Sequence, residues 1–421
     1  MAPIRRIIID TDPGVDDILA ILLALAASPQ EVEVILLSVT FGNTDLQNCL
    51  RNAVSMFHVI EKELEWRRNR GQLEGFDSLK VFKPIVAVGA EQPLEDQLLM
   101  ADYFRAFLNN WFQKQLPHPH LTPDESWKTL FEKTSCEEDG QVIAPQDSVS
   151  SIPSFTASKL VAHKEILRVL RENELDTITI VAIGPLTNLA LAAAEDPEAF
   201  LRVKEVVVMG GAVDVEGNAV ASARVYALTS PDPLSTLPPL PPPSSHTPSP
   251  AKTSLGPYPP NLSRPLKLTL FPLDITTGHL LMKSDFEAKV KPIAGLGSPL
   301  AEWVCAFVER TFQKMESWSV VGGEVGLSLH DPLWYILTST SPTWILSPSS
   351  PEDVRVECAG QWTRGMCVVD RRLRRKAADG EEIIGDTDGW LNPRKGNRVR
   401  RMAGSPGEDA FAHYLLERIF G

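Results

Sequence analysis

Three isoleucines, Ile7-Ile8-Ile9, run directly into Asp10-Thr11-Asp12-Pro13-Gly14-Val15-Asp16-Asp17, and this junction restricts the chain more than any other stretch. Consecutive β-branched residues read as a strand buried on both faces, and Asp17 to Ala27 carries the apolar spacing of a helix. Between them four carboxylates fall within eight residues. Asp12-Pro13 has the form of an N-cap and first helical residue, which accounts for one acid. A helix N-terminus favours a nearby negative charge by only about 0.3–1 kcal/mol, less than carboxylates a few ångströms apart repel one another. A cation among them resolves the conflict. The neighbourhood offers oxygen donors and neither Cys nor His, so the expected ion is hard, Ca2+ or Mg2+.

The alternation of strand and helix continues. Val32 to Thr40 reads as a second strand, completing a βαβ unit, and Pro84 to Val88, Thr177 to Ile183 and Glu205 to Met209 repeat the pattern, with a helix over Leu186 to Ala194. Further on, Leu266 to Leu273 reads as a strand, and Ser298 to Met315 and Asp409 to Ile419 as helices. These elements predict an α/β fold: an open, mostly parallel sheet with helices on both faces and a Rossmann-like core. Ligands of such sheets sit beyond the carboxyl ends of the strands. Three turns occupy that position, namely Gly42-Asn43, Gly184-Pro185-Leu186-Thr187-Asn188 and Met209-Gly210-Gly211. Asn43 alone reads as a left-handed turn residue and Thr187 alone as a helix start; their shared position makes both candidates for the site. Late in the chain His330-Asp331 stands among apolar residues, before a helix expected over Leu333 to Leu337. On its own the pair reads as a capping Asp beside a packed His. Joined to the N-terminal acids, Asp331 becomes a further oxygen ligand and His330 a proton donor tunable near neutrality.

Composition removes several classes of function. With 41 Lys plus Arg against 54 Asp plus Glu, the net charge of −13 disfavours nucleic acid and anionic membrane as partners. Five cysteines without a CxxC pair read as free thiols in a reducing compartment. Arg5 and Arg6 precede only three apolar residues, too few for a secretory signal, and the run Ile18 to Ala27 is too short for a membrane span. A cytoplasmic location is expected. Two stretches break the pattern. Residues 100–156 read as an irregular insertion, and residues 231–265 hold thirteen prolines in thirty-five positions, the mark of an exposed Pro/Ser-rich insertion or, less simply, a polyproline ligand.

The run Asp10 to Asp17 resembles the N-terminal signature of the inosine/uridine-preferring nucleoside hydrolases. The resemblance continues, in order, through Phe41-Gly42-Asn43, Val88-Gly89-Ala90, Gly184 to Asn188, Met209-Gly210-Gly211, Gly217-Asn218 and His330-Asp331, with the Pro-rich insertion resembling fungal members. It implies one domain over residues 1–421, a bound Ca2+, and hydrolysis of the N-glycosidic bond of purine or pyrimidine ribonucleosides in nucleoside catabolism and salvage. It further implies that Asp12, Asp17 and Asp331 ligate Ca2+ by carboxylate and Thr187 by its carbonyl, and that Asp12 takes a proton from the attacking water. Asp16 and Asn43 would bind the ribose hydroxyls, Met209 and Asn218 would line the sugar pocket, and His330 would protonate the departing base. A homodimer or homotetramer is the implied assembly.

Two departures from the family pattern qualify the activity. After Asn218 comes Ala219-Val220-Ala221-Ser222-Ala223-Arg224, where family members carry a ribose-gripping Glu and Asn. Each lost hydrogen bond to a buried hydroxyl costs about 1–3 kcal/mol, so an impaired rate is expected. The glycine-free stretch after Ala90 replaces a flap over the base. Both departures keep open a catalytically inactive homologue that binds a nucleoside or a partner. Strand-Asp10-Thr11-Asp12 with Gly385-Asp386-Thr387-Asp388 also resembles the haloacid-dehalogenase phosphatases, with Asp10 as nucleophile. That reading leaves Asp16-Asp17 and His330-Asp331 without a role.

Overall fold

The computed structural model describes residues 5–94, 121, 123–132, 154–215, 217, 261–318, 323–331, 344–357, 363, 365–372, 374–378, 381, 383–392, 396–405 and 407–421. Asn218, the expected helix over Leu333 to Leu337, and most of the two insertions lie outside these residues.

Strand β1 (Arg5–Thr11) occupies the middle of a nine-stranded sheet. On one side follow β2 (Val32–Val39), β3 (Ile85–Val88) and β4 (Thr156–Ala157). On the other lie β5 (Ile178–Ala182), β6 (Glu205–Met209), β7 (Leu268–Phe271), then β13 (Arg400–Gly404) and β10 (Ile345–Leu346). All pairings are parallel except β10 with β13. Two antiparallel pairs stand apart: β8 (Leu280–Met282) with β9 (Gly326–Ser328), and β11 (Val354–Val356) with β12 (Cys367–Val369).

The isoleucine run explains the two layers. Ile7 and Ile9 face one core, shared with helices α1 (Val15–Leu25) and α2 (Leu46–Asn69), while Ile8 faces a second core shared with α4 (Ala162–Glu172) and α5 (Thr187–Glu195). A strand buried on both faces needs apolar residues at every position, which this run supplies. The short α3 (Asp77–Val81) and α6 (Pro197–Phe200) complete the first half. In the second, α7 (Leu273–Thr276) follows β7, and α8 (Lys283–Gly295), α9 (Pro299–Trp318) and α10 (Asp409–Phe420) cover the first core. Among the described residues no helix is long and apolar enough to cross a membrane.

Two sequence expectations need correction, and one helix has no counterpart in the sequence reading. The first helix starts at Val15 with Gly14 as its N-cap, not at Asp17 with Asp12 as cap, because Asp12 is turned to the Asn43 backbone instead. The strand expected over Leu266 to Leu273 ends at Phe271, since Pro272 lacks the N–H that a ladder requires and opens α7. Helix α2, the longest in the described chain, went unread, although Leu46, Leu50, Ala53, Val54, Phe57 and Ile60 form its buried stripe.

The strand order reverses between β1 and β5. Chain connections leave in opposite directions there, opening a crevice at the carboxyl ends of the two strands. Asp10, Asp12 and the Gly184 turn border that crevice.

Candidate metal and active site

The floor of the crevice is a buried polar network. Register places Asp10 opposite Ser38, and the Ser38 hydroxyl donates to Asp10 Oδ1 at 2.5 Å. Asn188, in the first turn of α5, donates from Nδ2 to Asp10 Oδ1 (3.0 Å) and Ser38 Oγ (2.9 Å), and its Oδ1 accepts from the Ala90 N–H (2.8 Å). One carboxamide therefore ties the ends of β1, β2, β3 and β5. The sequence puts Asn188 in one of the site turns but does not mark it, or Ser38, as a partner of Asp10. Burial raises the Asp10 carboxyl to about 7 against these hydrogen bonds, and its Oδ2 has no partner.

Above this floor the acidic turn folds around Asn43. The Asn43 N–H donates to Asp12 Oδ2 (2.6 Å), and its Nδ2 donates to the Asp12 carbonyl (3.0 Å) and to Asp17 Oδ2 (2.7 Å). Asp17 also accepts from Thr11 Oγ1 (2.7 Å) and from the Gly14 N–H (3.0 Å). Packing here is tight enough to demand glycine. A Cβ on Gly42 would lie 2.0 Å from Asp12 Oδ2, and one on Gly14 would lie 2.5 Å from Asn43 Nδ2. Asn52 of α2 holds the turn from behind, donating to the Pro13 carbonyl at 2.8 Å.

The late dipeptide is delivered by the β8–β9 pair. The Leu329 N–H donates to the His279 carbonyl (2.8 Å), and His330 Nδ1 lies 3.2 Å from Thr276 Oγ1 at the end of α7. His330's backbone N–H in turn bonds the Asp16 carboxylate. Residues more than three hundred positions apart thus meet. Carboxylate oxygens of Asp16, Asp17 and Asp331 all lie within 4.8 Å of one another, and all three residues are buried. Asp12 borders this trio, since its charge acts on Asp331 and it bonds to Asp17.

Electrostatics state the problem that the sequence posed. Burial, then the charges of Asp16, Asp17 and Asp12, push Asp331 well above the usual carboxylate range. Asp12 is raised by burial and by Asp17, and Asp16 is raised to about 7 by the same two causes. Burial raises Asp17 as well, opposed by its hydrogen bonds. At an effective dielectric of about 20, two unit charges 4.8 Å apart repel by roughly 3 kcal/mol, several times what a helix N-terminus returns. The donor set is entirely oxygen, as a hard divalent cation requires. Thr187 is buried beside the crevice with its Oγ1 unpartnered, a further oxygen suited to such a site. The residues present fit a cation.

Burial lowers the His330 imidazole to about 4, so the ring is neutral at neutral pH. Met209 ends β6 fully buried, at the turn Gly210-Gly211. Asp10 is also fully buried, beneath Ser38 and Asn188, where an attacking nucleophile would be shielded from a phosphoester.

Comparisons with known proteins give the family and the fold. The model of the family described as inosine-uridine preferring nucleoside hydrolase matches residues 7–227. The pyrimidine-specific ribonucleoside hydrolase RihA of Salmonella agona is 27% identical over 370 residues, covering 86% of this chain and 88% of its own. An uncharacterized protein of Schizosaccharomyces pombe is 28% identical over 371 residues, covering 87% and 89%. Among solved structures, the purine-preferring ribonucleoside hydrolase from Gardnerella vaginalis superposes with a TM-score of 0.62 at 21% identity, covering 99% of this chain and 98% of that one. A plant nucleoside hydrolase gives 0.59 at 19% identity with full coverage of both chains.

Proposed function

The chain belongs to the inosine-uridine preferring nucleoside hydrolase family, N-glycosidases that act on ribonucleosides, and we propose that its own reaction is Ca2+-dependent release of ribose and free base. The observation that carries this reading is the meeting of Asp16 and Asp17 with Asp331 in one buried, oxygen-only cluster, with the Asp12 charge acting on Asp331 beside it.

Asp12, Asp17 and Asp331, with the Thr187 carbonyl, are assigned to the cation, and the proximity of Asp16 to Asp17 and Asp331 supports a share for Asp16 in holding it. When bound, a divalent cation lowers the pKa of water and so supplies a nucleophile at neutral pH. Asp12 is assigned as the base that accepts the water's proton. Its Oδ2 is held by the Asn43 N–H, which fixes the carboxylate in one orientation. Asp16 and Asn43 are assigned to the ribose hydroxyls, and Asn43 also holds Asp12 and Asp17 in place through its carboxamide. Met209 and Asn218 are assigned to the sugar pocket. As the glycosidic bond breaks, positive charge grows on the sugar and negative charge on the base; buried carboxylates stabilise the first, and an imidazole N–H of His330 meets the second. We further propose a cytoplasmic homodimer or homotetramer of one domain, in nucleoside catabolism and salvage.

Incubation of the full chain with inosine, uridine or cytidine and Ca2+ tests this directly. Ribose release is expected well above that of an Asp12→Asn control and is expected to stop on chelation. A second reading, a nucleoside-binding homologue that no longer turns over, is favoured by the absence of Glu and Asn between Asn218 and Arg224. No release above the Asp12→Asn control by a calcium-loaded protein would favour that reading instead.

A further inference from the structure

The turn after β6 is held almost entirely by residues distant in sequence. The Gly210 N–H donates to the Phe271 carbonyl (3.1 Å), and the Leu273 N–H donates to the Gly211 carbonyl (2.8 Å). The N–H groups of Val213 and Asp214 both donate to the Asp274 carboxylate, at 2.9 and 2.7 Å. Arg371 Nη2 donates to the Val213 carbonyl (2.6 Å), and its Nη1 pairs with Asp214 Oδ1 (2.6 Å). Arg401 Nη1 reaches Asp214 Oδ2 at 3.0 Å. Arg401 is itself anchored, with Nε on Glu352 Oε2 at 2.6 Å and only 11% of either side chain exposed. A Cβ on Gly211, whose φ is +74°, would lie 3.1 Å from Cys367 Sγ of β12.

These contacts form a continuous structure. Arg401 on β13 and Arg371 beyond β12 grip Asp214; Asp274 joins that turn to α7; and Thr276 of α7 meets His330. Both arginines lie beyond residues 7–227, the part that the family model matches. We propose that Arg371 and Arg401 are positioning residues that fix the 210–214 turn, and through it the sugar-facing rim that Met209 enters, by their shared grip on Asp214. The inference rests on the assignment of Met209 to the sugar pocket. An ion pair between exposed side chains is worth little, but Asp214 is bridged by two guanidiniums and one of these is buried and fixed. The carboxylates of the cation cluster come from other turns and meet this chain of contacts only through His330.

The test uses the full chain and its Arg401→Met, Arg371→Met and Asp214→Asn variants. Amide hydrogen exchange across residues 209–215 should quicken by about tenfold in each, corresponding to ~1.4 kcal/mol, while exchange in β1 stays unchanged. KM for nucleoside should rise by a similar factor with kcat changed less, and calcium affinity should not move. Asp214→Asn alters a half-exposed side chain, so it keeps the test decisive if Arg401→Met fails to fold. Unaltered exchange in residues 209–215, or a parallel loss of calcium affinity, overturns the proposal. A wild-type chain that hydrolyses nothing overturns the proposed reaction, while the exchange measurement still decides whether the grip exists.

Discussion

The turn after β1 and the turn after β6 sit at the carboxyl ends of the same sheet, yet they are held in opposite ways. In the first, Thr11, Gly14 and Asp17 bond one another within a few residues, and Asn43 closes the set from the neighbouring strand end. In the second, residues 213 and 214 depend on Asp274, Arg371 and Arg401. A turn held by its own hydrogen bonds and by the uncharged side chains of Asn43 and Asn52 places its carboxylates at fixed separations against strong repulsion. A turn held by remote charges adds a rim whose position depends on the C-terminal third.

The largest difference should come from the reacting groups. Asp12→Asn keeps the shape of the first turn but removes its base, and kcat should fall by about 10²- to 10⁴-fold in steady-state ribose release. Replacing Asp214 by Asn in the second turn should leave kcat within about threefold, since KM carries the effect. Equal losses in kcat would erase the contrast.

Two alanine substitutions sharpen the contrast with smaller effects. Gly42→Ala drives a methyl toward Asp12 Oδ2, with 2.0 Å available; overpacking of this kind costs about 1–3 kcal/mol, and calcium affinity should fall with it. Gly211→Ala meets Cys367 Sγ and a left-handed backbone, at a cost of roughly 1–2 kcal/mol, and should raise KM while sparing calcium affinity. Thermal melts and calcium titrations of both variants distinguish these outcomes. A Gly211→Ala chain that loses calcium would place the two turns in one unit.

The same contrast explains what the sequence made legible. Ile7-Ile8-Ile9 announces a central strand because a strand buried on both faces needs apolar residues throughout, and the acids that follow are conspicuous because burial makes so many carboxylates expensive. His330-Asp331 was readable as a pair, and the fold brings it to that turn through β8–β9. Asp12 followed by Pro13 satisfies the local N-cap rule, yet tertiary contact with Asn43 claims the Asp12 side chain and the helix is capped at Gly14 instead. The role of Asn188 is not legible because its partners, Asp10, Ser38 and Ala90, come from three other strand ends. Arg371 and Arg401 were equally unreadable, being two arginines among many until the sheet order sets β13 beside β7.

Calcium titration of the chelator-treated chain by calorimetry, repeated on Asp331→Asn, addresses the central claim most directly. One ion per chain in the wild type and a steep loss of affinity in Asp331→Asn is the predicted result, because a carboxylate from residue 331 completes the cluster of Asp16 and Asp17. Affinity undiminished by the substitution, or an absence of calcium binding in the wild type, would contradict the account.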